Sequence, residues 1–363
     1  MKAAIARIVG SPLSIEDVQI SKPEADEVLV RVGATGLCHS DLHVLDGTLD
    51  YPTPIVLGHE VAGVVEQVGS NVKTVRPGDH VVACITFHCG HCPQCHGGNS
   101  HRCRTPEARR PDEAEPRLHQ SGSAIQQFLN VGSFAEMILV HQSGCVAIDR
   151  DMPLDRACLI GCGVTTGFGS VTRAARLKPG QTVAIIGCGG VGLAAVNAAL
   201  ISGAGRIFAI DRLQSKLDLA QIMGATDTVN AVSGNTAAAV MEMTNGRGVD
   251  HVIEAIGLKD TIETGYAMLA AGGTLTIAGA TSPDTLIEIP SINLLLSEKR
   301  IQGTYMGGVQ LSIDVPAYVS LYRQGRLKLD ELVSQRLPLE RINEGFDAMR
   351  SGNIARSVIV FDT

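Results

Sequence analysis

The chain has 363 residues, 45% hydrophobic and 18% charged, which is ample for a buried core and long enough that two domains are expected. A formal net charge of −7 argues against non-specific attraction to nucleic acid or to an anionic membrane surface. Forty glycines and no tryptophan point to many tight strand–helix turns rather than an aromatic-rich surface.

The opening MKAAIARIVGSPL has no long apolar stretch followed by a small-residue cleavage site, so no secretory signal is read. No apolar run approaches the roughly 18–20 residues of a membrane helix, and the final SVIVFDT carries no lipidation or sorting motif. A cytoplasmic, reducing compartment is expected, where structural disulfides are rare. The first part then reads as short β segments punctuated by glycine: KAAIAR, EVLVRVGATGL, HEVAGVVEQVG and DHVVACIT. Their rough alternation suits a half-buried, mostly antiparallel fold. Between them stand GLCHSDLH, with Cys38 to His43, and GHE, with His59 and Glu60. Singly these are bland, since a lone cysteine is usually a small buried hydrophobe.

Residues 88–103, HCGHCPQCHGGNSHRC, hold Cys89, Cys92 and Cys95 at x2 spacing and Cys103 after seven more residues. The expected compartment counts against disulfides. The ferredoxin run C-x2-C-x2-C-x3-C-P has a shorter last spacing and a proline that this segment lacks. Four thiolates around a tetrahedral zinc fit better, with an iron–sulfur cluster or unmetallated thiols as the alternatives. A zinc with four protein ligands has no vacancy for substrate, so such a metal would be architectural. The next stretch, RTPEARRPDEAEPRLHQ, is rich in proline and in charges of both signs and reads as an exposed loop.

Near residue 165 the pattern changes, just after GCGVTTGFG with Cys162. TVAIIGCGGVGLAAVNAALISGAGRIFAIDR reads as strand, glycine turn, small-residue helix and strand, and further units follow at ATDTVN, GVDHVIEAIG, AGGTLTIAG and RIQGTYMGG. Strands alternating with helices such as SKLDLAQIM and TIETGYAML imply a parallel sheet covered on both faces. Gly187, Gly189, Gly190, Val191 and Gly192 belong to a G-x-G-x-x-G turn that follows a strand and opens a helix. In that context the glycines allow a tight turn, approach to a pyrophosphate and close helix packing, and the helix N-terminus favours the anion. Asp211 ends the next strand; a carboxylate there accepts ribose hydroxyls and repels a 2′-phosphate, favouring NAD over NADP. Arg212 beside it softens that preference. Past about residue 310 the chain is expected to return to the first domain through VPAYVSLYRQG and SVIVF.

Taken in order, GLCHSDLH, GHE, the cysteine lobe, GCGVTTG and GCGGVG resemble the zinc-dependent medium-chain alcohol dehydrogenases over essentially the whole chain. The long segment between Cys103 and Cys162 is more similar to the liver-type and glutathione-dependent formaldehyde branches. The resemblance implies an α/β chain: a Rossmann domain, residues 164–305, and a mostly β GroES-like catalytic domain, residues 1–163 and 306–363, with its zinc lobe at 88–104. It implies two zinc ions per subunit, a catalytic one on Cys38, His59 and Cys162 and a structural one on the lobe cysteines. The first is the Cys₂His pattern with an open fourth position. There, zinc-alkoxide hydride transfer to NAD would oxidise an alcohol reversibly.

Further roles come with the resemblance. Ser40 and His43 match a proton relay, Asp41 a partner for the far nitrogen of His59, and Glu60 a transient ligand. His39 and Arg356 match pyrophosphate contacts, and Thr166 and Val191 lie near the nicotinamide. The pocket matches Leu49, Ile85, Phe128, Leu129, Ala280 and Tyr305, an apolar set suited to hydrophobic primary alcohols, aliphatic or benzylic. A glutathione-dependent formaldehyde dehydrogenase is the alternative, although no charged residue is securely placed near Leu49. Polyol dehydrogenases usually carry a carboxylate where Cys162 stands. A non-catalytic nucleotide-binding sensor would keep the fold and lose the catalytic metal. Relatives assemble through the edge strand of the coenzyme domain, here read as TYMGG with the preceding NLLLSEK; the long loop, as in the liver-type branch, favours a homodimer, with a homotetramer as the alternative.

Overall fold

The structure is a computed structural model that describes residues 1–363 apart from 105–109, 111–113, 233, 353 and 363. Strand β1 (Lys2–Ala6) joins five short strands, at Ser14–Asp17, Gln19–Ile20, Ile55–Val56, Leu118–Gln120 and Ser123–Gln127, in a six-stranded sheet among the described residues. A larger sheet is built on β2 (Glu27–Gly36), which leads into the short helix α1 (His39–Leu45). Strands β3 (Glu60–Val68), β4 (His80–Ala83), β5 (Met137–His141) and β6 (Cys145–Ile148) belong to the same sheet. Along β2, Val28, Val30 and Val32 fall on one face by the two-residue period and pack with Val61, Val65, Val81, Ile138 and Val140.

Helix α2 (Gly163–Gly169) begins directly after Cys162 and leads toward β7 (Thr182–Ile186), α3 (Gly190–Ile201), β8 (Arg206–Asp211), α4 (Gln214–Met223) and β9 (Asp227–Asn230). The chain then crosses to β10 (Val249–Glu254), α5 (Lys259–Ala267), β11 (Leu269–Ile277), α6 (Ser291–Leu296) and β12 (Arg300–Gly303). These strands form one parallel sheet in the order β9-β8-β7-β10-β11-β12. Runs such as TVAII and RIFAI are apolar almost throughout because helices cover both faces of such a sheet. Strand order reverses between β7 and β10, and the crevice at that reversal is where open α/β sheets take ligands.

Helix α3 is buried from Gly192 to Ala199. Its small side chains let α2 approach closely: a Cβ on Gly167 would stand 2.1 Å from the carbonyl oxygen of Val191. After β12 the chain runs against α2, where Gly307 at φ +63 faces the carbonyls of Thr165 and Thr166. Gln310 donates its amide to the carbonyl of Gly98 in the cysteine lobe. Helix α7 (Leu311–Arg323) follows, then β13 (Val333–Leu337) and β14 (Arg356–Val360). β14 lies antiparallel to β2, so the larger sheet runs β6-β4-β3-β2-β14-β13 with β5 also on β2. Among the described residues no helix is long and apolar enough to cross a membrane.

Two sequence readings are corrected. The edge strand of the parallel sheet is Arg300–Gly303, not TYMGG: Met306 and Gly307 are buried in a helical turn against α2. The stretch after the lobe is not simply an exposed loop. Residues 105–109 and 111–113 of it lie outside the described residues, but the Arg110 and Arg117 side chains are only 8% exposed and converge on Glu27. Glu27 Oε2 accepts from Arg110 Nη2 at 2.6 Å and Oε1 from Arg117 Nε at 2.7 Å. Leu118–Gln120 is a strand.

Burial alone would raise the Glu27 pKa, yet the two guanidinium groups hold it below the ordinary carboxylate value. A lowered folded-state pKa contributes stability above the unfolded value, near 4.3, that is lost as pH falls through the folded one. Glu27→Ala removes the carboxylate that both buried guanidinium groups share and should cost about 3 kcal/mol in urea unfolding at neutral pH. The gap to the unsubstituted protein should narrow below about pH 4; a constant gap across that range would show that Glu27 acts by packing alone.

Candidate metal and cofactor site

Three segments far apart in the chain meet at one point. Cys38 is the last residue before α1, His59 the last before β3 and Cys162 the last before α2. Their ligand atoms all lie within 4.8 Å of one another, and all three residues are buried. Gly58 makes the turn that presents His59: its φ is +91, and a Cβ there would stand 2.6 Å from Ser133 Oγ and 2.8 Å from the Phe134 nitrogen.

Asp41, fully buried, ties two of these segments together. Its Oδ2 accepts from the Cys38 backbone nitrogen at 3.1 Å; its Oδ1 accepts from the Gly58 nitrogen at 2.9 Å and lies 3.1 Å from His59 Nδ1. With Nδ1 engaged, Nε2 is the ring nitrogen left for a metal. Burial alone would lower the His59 pKa, but Asp41 and Cys38 raise it well above its ordinary value. Cys162 and His59 hold the Cys38 thiol well below its usual range, against the effect of burial. Two adjacent buried thiols can both ionise only beside a cation, and two thiolates with one imidazole suit a zinc ion that keeps a fourth position open.

The cysteine lobe forms the second donor set. Its sulfurs stand 3.5 Å apart for Cys92–Cys95, 3.7 Å for Cys89–Cys103 and 3.9 Å for both Cys89–Cys95 and Cys92–Cys103. A tetrahedron with bonds of about 2.3 Å has edges of about 3.8 Å, so the four sulfurs fit one ion. Burial and the neighbouring thiols push Cys95 up to about 12, a cost that a bound dication would remove.

Around the first set, Ser40 Oγ lies 3.9 Å from the Cys38 sulfur. His43, one turn along α1, is half-buried, with Nδ1 lacking a partner among the described residues. Glu60 is fully buried, and Arg356 only 4% exposed. Glu60 Oε1 accepts from the Gly163 nitrogen at 3.1 Å and from Arg356 Nη2 at 3.3 Å. Burial pushes Glu60 up to about 7 even against the opposing pull of Arg356. The Arg356 guanidinium also lies over Gly190, where a Cβ would be 2.4 Å from its Cζ. Arg356 therefore joins the donor set to the glycine turn.

At that turn Asp211 Oδ2 accepts from the Cys188 nitrogen at 2.8 Å, and Oδ1 from the Leu213 nitrogen at 3.0 Å. Gly192 admits no side chain, since its Cβ would fall 1.7 Å from the Gly187 carbonyl oxygen. Val191 is half-buried and Arg212 exposed. Thr166 is buried and donates to the Met306 sulfur at 3.6 Å. His39 is exposed at the start of α1, its pKa lowered by partial desolvation and by the charges of Arg356 and Lys216. Lys216 was missed in the sequence; its place on the helix just after Asp211 was the available signal.

Of the six pocket residues, Phe128 lies edge-on to His59, ring centroids 5.5 Å apart. Leu49 and Leu129 pack on the same cluster as Phe128, and Ile85 on the cluster that contains Cys38 and Cys162. Tyr305 is 53% exposed, yet burial and the thiols of Cys84 and Cys162 push its hydroxyl up to about 12. Ala280 is exposed and packs against Gly257, beside the cofactor crevice. Tyr51, also missed in the sequence, stands edge-on to Phe128 at 4.9 Å.

The family comparisons agree with this layout. Residues 24–150 match the alcohol dehydrogenase GroES-like domain, and residues 190–324 match the zinc-binding dehydrogenase domain. An alcohol dehydrogenase zinc-binding domain protein from Burkholderia ambifaria is 38% identical, with a TM-score of 0.95 over 100% of this chain and 99% of its own. Benzyl alcohol dehydrogenase from Acinetobacter calcoaceticus is 33% identical, with a TM-score of 0.94 over 99% of each chain. A protein named as a zinc-binding dehydrogenase from Sinorhizobium meliloti, bound to NADP, is 28% identical, with a TM-score of 0.81 over 99% of each chain.

Replacing Asp41 with Asn keeps the volume but removes one charged acceptor from the junction of Cys38, Gly58 and His59. Loss of such a partner costs about 10–100-fold in metal affinity. After loading with zinc, dialysis against a chelator should strip metal from the Cys38, His59 and Cys162 set of Asp41→Asn well before it does so from the unsubstituted protein. Equal retention would mean that Asp41 does not orient His59.

Proposed function

The chain belongs to the zinc-dependent alcohol dehydrogenase family, oxidoreductases that use zinc and a nicotinamide cofactor, and we propose that it oxidises hydrophobic primary alcohols, aliphatic or benzylic, reversibly to aldehydes with NAD. The observation that carries this reading is the meeting of Cys38, His59 and Cys162 at the start of a helix packed on the dinucleotide turn. In this reading residues 1–163 with 306–363 form the catalytic domain and 164–305 the NAD-binding domain. The pairing of β14 with β2 supports that division.

When bound, zinc supplies the positive charge that makes an alcohol hydroxyl easier to deprotonate, and the nicotinamide accepts the hydride. The residues themselves do the placing. Asp41 orients His59, and the Ser40 hydroxyl takes the substrate proton toward His43, which delivers it to solvent. Phe128 and Tyr51 exclude water with an apolar wall that suits an alkyl or aromatic group. Arg356 and His39 offer donors to the pyrophosphate at the Gly187–Gly192 turn. The lobe cysteines hold a second zinc that has no open position and serves the fold.

A homodimer through the free edge of β12 belongs to the same reading. Ile292, Leu295 and Leu296 of α6 are 62–77% exposed beside that edge, and an apolar patch next to an open strand is a common association surface. A cytoplasmic setting suits cysteines that form no disulfide among the described residues.

A panel of alcohols and aldehydes, followed by NADH absorbance with and without glutathione, tests the substrate assignment. Turnover of benzylic or medium-chain primary alcohols without glutathione, with two zinc per chain, is expected. Turnover only of formaldehyde with glutathione would replace this reading with the formaldehyde one. Asp211→Gly tests the coenzyme assignment: removing the carboxylate should lower the NAD-to-NADP ratio of kcat/KM by about ten-fold or more. An unchanged ratio would remove Asp211 from the ribose site.

A further inference from the structure

Glu254, the last residue of β10, is completely buried in the parallel sheet and belongs to neither donor set. One carboxyl oxygen, Oε1, accepts from the Ile256 and Gly257 backbone nitrogens, both at 2.9 Å, and from Thr261 Oγ1 at 2.8 Å. The other, Oε2, is buried without a partner among the described residues. Its backbone carbonyl accepts from the Ala278 and Gly279 nitrogens, at 2.8 and 3.0 Å. Side chain and main chain of this residue therefore gather the turn after β10 and the end of β11.

That turn lies across the strand-order reversal. The Ala255 nitrogen donates to the carbonyl of Ile186, the residue before Gly187. A Cβ on Gly187 would meet Ile256 Cγ1 at 2.5 Å, and one on Gly279 would fall 2.2 Å from the Gly257 nitrogen. These approaches leave no room for a side chain at Gly187 or Gly279. It presents Ile256 and Leu258, 39% and 59% exposed, as an apolar face beside the glycine turn. A carboxyl group buried at this depth is costly unless it serves as an acceptor, and here three donors converge on a single oxygen.

We propose that Glu254 is a positioning residue for the dinucleotide: its Oε1 holds the Ala255–Leu258 turn so that Ile256 seats on Gly187 as one wall of the cofactor crevice. The proposal rests on the reading that the dinucleotide lies along Gly187–Gly192. Glu254 touches neither the reacting atoms nor the metal donors, so its loss should act on cofactor affinity before the chemical step.

The chain has no tryptophan, so NADH fluorescence reports binding without a strong protein background. Glu254→Ala should raise the Kd for NADH about ten-fold or more, with kcat at saturating NAD falling by less than that. Glu254→Gln keeps an acceptor oxygen at the turn and should recover most of the affinity. If Glu254→Ala fails to fold, Thr261→Val, which removes one of the three donors, and Ile256→Ala, which trims the wall, should each raise Kd by about three-fold or more. A Kd within two-fold of the unsubstituted protein in the folded variants would overturn the proposal. So would a fall in kcat with Kd unchanged. If the unsubstituted protein does not bind NADH, or if Asp211→Gly leaves the NAD-to-NADP ratio unchanged, the location of the dinucleotide is at fault rather than the role of Glu254.

Discussion

A single carboxylate sets the geometry on which the rest depends. Asp41 carries no exposed surface and receives two backbone donors and one ring nitrogen, from the segment that follows β2 and the one that precedes β3. Charge-assisted bonds of this kind are about twice as strong as neutral ones, and their donors are held because an ionised carboxylate cannot be left unsatisfied in the interior. The fold thus converts one buried charge into a fixed distance between Cys38 and His59. Cys162 is brought to the same point by a different device, the burial of a glycine-rich helix.

That helix makes the two halves of the site inseparable. Gly167 lets α2 lie against the first turn of α3, and Gly190 leaves room for the Arg356 guanidinium. Arg356 in turn pairs with Glu60, the neighbour of His59. Along this path, Cys162 to α2 to α3 and Glu60 to Arg356 to Gly190, each contact has the side chain of one partner removed or its charge matched. Replacing either of these glycines would push Cys162 or Glu60 away from the Gly187–Gly192 turn.

The legible parts of the sequence were those whose chemistry is local. The glycine turn and the cysteine lobe announce themselves because ligand spacing and positive φ demand particular residues within a few positions. The three separated donors became readable only together, through a family resemblance, since nothing local distinguishes Cys38 or Cys162 from a core cysteine. What the sequence hid is long-range. Glu27 pairs with Arg110 and Arg117, 83 and 90 residues away, and no charge pattern within a polar stretch reveals a partner at that separation. Tyr305–Gly308 read as strand because its residues are apolar and aromatic. It turns instead because Gly307 and Gly308 adopt φ +63 and +75, and Gly307 fits the space that Gly169 leaves on α2. Nothing in the sequence around Glu254 shows that three donors converge on it.

The wall beside His59 shows how much the fold spends on placing one ring. Phe128 is followed by Leu129 and Asn130, both left-handed at φ +52 and +59. Asparagine tolerates that region, but for leucine it costs roughly 1–2 kcal/mol. The strain is held by bonds from the Val131 and Gly132 nitrogens to the Phe128 carbonyl, at 3.0 and 3.2 Å, and by Gln127 Nε2 on the Val131 carbonyl at 3.0 Å. A relaxed Leu129 would redirect the chain and swing Phe128 away from His59 and Tyr51. The aromatic wall is therefore fixed before substrate arrives rather than moulded by it. On the proposed reading, a fixed flat face next to Cys38, His59 and Cys162 suits an apolar alkyl or aromatic group.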